Sequence, residues 1–99
     1  MSLGYSYPCN IIRANTITHK LAATDVAGLL TMAQISKGIT LCNLGPNTVF
    51  VSFEDEAVTV NSFPIPNGIM VPFPYVQTLK VRYICATGET ADLRVVSEY

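Results

Sequence analysis

Ile39-Thr40-Leu41-Cys42-Asn43-Leu44-Gly45-Pro46-Asn47-Thr48-Val49-Phe50-Val51-Ser52-Phe53 decides the fold class. β-Branched and aromatic residues fill both halves, and a Gly-Pro-Asn punctuator divides them. Alternation sets Ile39 and Leu41 on one face, and Val49, Val51 and Phe53 on one face. That period of two marks strands packed on a core. The simplest reading is a hairpin of Ile39–Leu44 with Thr48–Phe53. The two apolar faces coincide only across an odd-numbered loop such as Gly45-Pro46-Asn47, which places Leu41 opposite Val51 and Ile39 opposite Phe53. Asn47 then takes the left-handed position that closes a three-residue loop. Pro46 falls second in that turn, where a type I turn disfavours it, and a bulge or a longer loop would relieve the conflict.

The same pattern recurs toward the C-terminus. Leu79, Val81, Tyr83 and Cys85 alternate with Lys80, Arg82 and Ile84, and Leu93 and Val95 alternate with Asp92, Arg94 and Val96. Read as a second hairpin, Leu79–Cys85 pairs with Asp92–Glu98. The charge pattern selects the register with Tyr83 opposite Val95, Cys85 opposite Leu93 and Lys80 opposite Glu98, because the alternative sets Arg82 against Arg94. In that register one outer face carries Lys80, Arg82, Ile84, Asp92, Arg94, Val96 and Glu98. Between the hairpins, Val58-Thr59-Val60 and Ile69-Met70-Val71 read as short strands joined through Phe63–Gly68. Pro66-Asn67-Gly68 is a turn signal. Prolines 64, 66, 72 and 74 cannot donate to a ladder and belong at strand ends or edges. Ala22–Met32 has some helical character, but Gly28 interrupts it, so a loop leading into a strand at Leu29–Ser36 is expected. Seven or eight short strands with frequent turns define an all-β, antiparallel β-sandwich or jelly-roll-like domain at 15–99. An extended N-terminal arm, 1–14, precedes it.

Composition bounds the function. The 99 residues suffice for one core. Charged residues make up only 13%, against about 25% in an average soluble domain. A free surface usually carries more charge, so this deficit implies that partner chains cover part of it. Net charge is −1 and the six basic residues form no run, which provides no footprint for nucleic acid. No apolar stretch approaches a membrane span, and Met1–Tyr7 lacks the basic and apolar blocks of a signal peptide. The product is expected to be soluble and made in a cytoplasm. Cys9, Cys42 and Cys85 are odd in number and each sits in an apolar segment, as expected of reduced, unlinked thiols.

No arrangement of catalytic residues emerges. His19, the single histidine, lies in the polar-alternating Thr16–Lys20 segment and reads as a surface or rim side chain, without an identifiable partner for nucleophilic or zinc chemistry. Glu54-Asp55-Glu56 is the one acidic cluster. Adjacent strand residues point to opposite faces, so a solvated loop tip, or a charged contact with a basic partner, is expected rather than a paired-carboxylate site. Gly38, Gly45, Gly68 and Gly88 match no phosphate-binding pattern. There is no tryptophan, which weakens a sugar-binding platform. A cupin-like enzyme would require several histidines as metal ligands. The expected catalytic, cofactor and metal sites are therefore none.

Several segments together suggest a family: Asn15-Thr16-Ile17-Thr18, the Ala-containing Leu21–Gly28, the Ile39–Phe53 stretch, Phe63-Pro64-Ile65-Pro66-Asn67-Gly68, and Leu79–Cys85 with Gly88–Val95. In this order they resemble small β-sandwich virion proteins of tailed bacteriophages, including capsid decoration (cement) proteins. The likeness runs from about Asn15 to the C-terminus and rests on turn and strand patterns. It implies a virion location and assembly on a particle without catalysis. The expected partners are a major capsid protein or other virion protein and further copies of this chain, with no nucleic acid and no membrane. The alternative is a carbohydrate- or host-receptor-binding module of a phage tail or fibre. Tyr5, Tyr7 and Pro8 are the expected interface residues, since a charge-free arm with two tyrosines suits docking.

Overall fold

The computed structural model describes residues 16–74 and 76–99. Tyr5, Tyr7, Pro8, Cys9 and the whole arm expected at 1–14 lie outside the described residues. Among the described residues eight strands form two antiparallel sheets: β1 (Thr16–Ala23), β2 (Gly28–Thr31), β3 (Gly38–Pro46), β4 (Val49–Phe53), β5 (Phe63–Ile65), β6 (Met70–Phe73), β7 (Lys80–Ile84) and β8 (Ala91–Glu98). The first sheet has the order β1-β8-β3-β6 and the second β2-β7-β4-β5. The chain passes from one sheet to the other at every connection except β4 to β5. Eight strands wound in this way make a jelly roll.

The all-β sandwich is as expected, but both expected hairpins are absent. β3 pairs with β8 and β6, while β4 pairs with β5 and β7. Ile39 and Leu41 therefore meet Val49, Val51 and Phe53 face to face across the core, and not edge to edge within one sheet. β7 and β8 are likewise in different sheets. Arg82 lies opposite Leu29 and Ser52, and Arg94 opposite Lys20 and Cys42. The expected Tyr83–Val95 register does not exist. The outer face drawn from it is divided: Lys80, Arg82 and Ile84 belong to one side of the molecule, and Asp92, Arg94, Val96 and Glu98 to the other. Alternation fixes which side chains point at the core, and a hairpin and a sheet crossing satisfy it equally.

Smaller differences have local causes. β2 is four residues long, because the chain leaves the sheet after Thr31 and buries Met32 and Ser36 at the end of the sandwich. Val58–Val60 forms no strand, although Val58 is buried; the strand is Phe63–Ile65, which the sequence presents as a connection. Pro66-Asn67-Gly68 does turn, with Gly68 at φ 79°. Pro64 and Pro72 sit within β5 and β6, the edge strands of their sheets, as proline chemistry requires.

The inner faces supply the core: Ile39, Leu41, Leu93 and Val95 from the first sheet, and Val49, Val51, Ile65 and Val81 from the second, with Ala23, Met32, Cys85 and Ala91 at its margins. At one end Phe73 stacks edge-on against both Phe53 and Phe63, at 5.3 and 5.4 Å between ring centroids. At Gly28, opposite Tyr83, a Cβ would collide with the tyrosine ring.

Candidate interaction surface

The crossing from β3 to β4 is organised by one buried amide. Asn43 shares the inward parity of Ile39 and Leu41 and has no exposed surface. Its Nδ2 donates to the carbonyls of Asn47 (2.7 Å) and Ile65 (2.8 Å), and its Oδ1 accepts from the Gly45 amide (2.7 Å). The register against β8 slips between Asn43 and Pro46, three residues facing the two steps from Leu93 to Ala91, so β3 carries a bulge there. The left-handed residue is Gly45, at φ 91°, in place of the expected Asn47. A Cβ at Gly45 would overlap the Asn67 side chain.

At the opposite end of the sandwich Glu54, at φ 56°, closes the turn after β4. Its Oε2 accepts from the Thr78 hydroxyl (2.5 Å) and from the amides of Leu79 (2.5 Å) and Lys80 (3.1 Å). Asp55 pairs with Lys80 (3.2 Å) and Arg82 (3.8 Å) in solvent, where such pairs contribute little. The acidic cluster is thus a structural clasp between the β4 end and the start of β7, and only part of it is a solvated tip. The Thr78 hydroxyl, then the two amides, hold the Glu54 carboxyl below its ordinary 4.5. Its stabilising effect is therefore complete above pH 4.5 and is lost as pH falls through the folded value. Asp92, gripped by the Arg94 guanidinium through two 3.0 Å bonds, is lowered from 3.8 and acts in the same direction. Stability should fall on acidification below about pH 4.5. Acid titration of E54Q, followed by circular dichroism, should show its deficit relative to wild type shrinking as pH drops.

Outside the core, the two sheets differ. The outer face of the second sheet is tied down by the loop after β4: Ser52 Oγ donates to Glu56 O (2.6 Å) and Arg82 Nε to Glu54 O (2.6 Å). Across the first sheet the outward rows read Lys20–Arg94–Cys42–Met70 and Thr18–Val96–Thr40–Pro72. Charge is confined to the β1–β8 half. The β3–β6 half presents Thr40, Cys42, Leu44, Met70 and Pro72 without a charge, and Leu44 and Met70 are 53% and 65% exposed. Ile69, beside Met70, is exposed as well.

A groove of about 560 Å³ opens at the end of β1 and β8, lined by Lys20, Asp92, Arg94, Gly45, Pro46 and Thr90 among others, with no aromatic side chain. His19 lies on β1 opposite Val95, half-buried. Among the described residues no three His, Cys, Asp or Glu side chains converge, and no helix is long and apolar enough to cross a membrane. Among the described residues Cys42 and Cys85 are free thiols. Burial, reinforced by Glu89 and Asp25, pushes the Cys85 thiol up and keeps it protonated.

No protein-family model matches this chain, and neither a curated protein nor a solved structure is significantly similar to it.

Proposed function

We propose that this protein is a non-enzymatic virion structural protein, a capsid decoration protein that stabilises a particle through protein–protein contacts. The observation that carries this reading is the uncharged β3–β6 half of the outer face, with Leu44 and Met70 both exposed on it, on a chain of only 13% charged residues. An uncharged, apolar stretch of a sheet face is the kind of surface that another protein covers. Burying one such side chain contributes about 1.5–3 kcal/mol, and many copies on one particle act together. The docking partner is a capsid subunit.

Mass spectrometry of purified particles should find the chain in them, and its absence there would end the proposal. With particle and protein in hand, M70D and L44D should each lower binding affinity at least tenfold while leaving the melting temperature near wild type. Removing Met1–Tyr7 should weaken particle binding if Tyr5 and Tyr7 share the contact, and unchanged binding would take the arm out of it. A carbohydrate- or receptor-binding module of a tail or fibre is the second reading. The groove favours it, because the Asp92–Arg94 pair and Lys20 offer donors and acceptors suited to hydroxyl groups. Particle binding indifferent to M70D and L44D, with glycan binding lost in D92A, would select that reading.

A further inference from the structure

Among the described residues the two open sheets of the sandwich have four edges, and three of them are protected. β5 and β6 carry Pro64 and Pro72 inside the strand, and β2 is four residues long. These are recognised devices against edge pairing. β1 is different. It runs for eight residues without proline or glycine, pairs with β8 in an unbroken register, and carries a single charge, Lys20. A long, regular edge of this kind is a template for another strand.

We infer that β1 is a docking strand for a second copy of this chain, the two β1 strands pairing antiparallel across a twofold axis at His19. Two four-stranded sheets then become one continuous sheet of eight. Both copies must keep their core-facing side chains on one side of that sheet, so paired residue numbers must sum to an even number. Two centres bring seven residues of β1 into register: His19, from Thr16 against Ala22 onward, and Lys20, from Ile17 against Ala23 onward. The second sets Lys20 against Lys20, a like-charge pair that is destabilising. The first sets His19 against His19 on the axis, and Ile17 against Leu21 of the second copy twice by symmetry, all on the core-facing side. On the outer side it sets Thr18 against Lys20 and Thr16 against Ala22. Ile17, which has core-facing parity yet is 47% exposed, gains an apolar cover.

The register makes a charge test available that leaves the core untouched, since Thr18 is exposed and points outward. Sedimentation velocity of the full chain over a wide concentration range should show a monomer–dimer equilibrium. T18K opposes two lysines at each of two symmetric positions and should weaken the dimer about tenfold. T18E should strengthen it several-fold, and T18K/K20E should recover the loss seen in T18K. Thermal melts at low concentration should leave all variants folded. A chain that stays monomeric throughout would overturn the inference. So would a dimer unmoved by T18K and T18E, because its contact would lie elsewhere.

Discussion

Leu93→Ala should lower the free energy of unfolding by about 3–4 kcal/mol, within the range measured for large-to-small substitutions in well-packed cores. Leu93 has no exposed surface and lies on β8, the strand that joins β1 to β3. It sits opposite Leu21 on one side and Asn43 on the other. A central strand in a filled sandwich cannot collapse onto the space left behind, so a cavity cost adds to the lost transfer energy. For a domain of this size the loss corresponds to roughly 12–30 °C in melting temperature. Urea unfolding should give a lower midpoint with an unchanged slope. Val26→Ala, at an exposed position in the β1–β2 loop, should shift stability by no more than about 0.5 kcal/mol. An L93A effect below about 1 kcal/mol would mean that the sheets do not close on Leu93 as described.

Asn43→Ala should cost on the order of 3 kcal/mol, by a different mechanism. The side chain makes three hydrogen bonds to backbone groups of the β3–β4 crossing and of β5. Truncation leaves the Asn47 and Ile65 carbonyls and the Gly45 amide without those partners, and an orphaned buried group costs more than a typical bond contributes. Two further variants separate bonding from packing. Asn43→Leu restores volume but no bonds and should remain strongly destabilised. Asn43→Asp keeps the acceptor for Gly45 but presents a carboxylate to two carbonyl oxygens, and should be at least as destabilised as Asn43→Ala. Equilibrium unfolding of the three variants checks the order. A wild-type midpoint for Asn43→Leu would assign the residue a packing role instead.

The candidate surface was legible in part. The parity of Thr40, Cys42 and Leu44 follows from alternation, and so does their shared outer face. That Met70 and Pro72 extend it does not, because nothing local indicates that β6 pairs with β3. Asn43 left a readable signal: a polar residue at the core parity of Ile39 and Leu41 needs internal partners. Glu54 left none. Its partners, Thr78, Leu79 and Lys80, are 24 to 26 residues away, and its carboxylate looks like any other at a loop tip.

The sequence by itself determined that this chain is built of strands, which residues face the core, where Pro66-Asn67-Gly68 turns, and that the prolines mark edges. Each of these depends on side-chain chemistry within a few residues. Only the tertiary structure decided which strands are neighbours. Two consecutive strands with matched apolar faces can lie side by side in one sheet or face each other across the core, and the burial pattern is the same in both. In this protein the second arrangement holds for β3 with β4 and for β7 with β8. The choice is made by long-range partners, as β8 fills the place between β1 and β3 and β7 the place between β2 and β4, and by the Asn43 amide that holds the crossing turn in place.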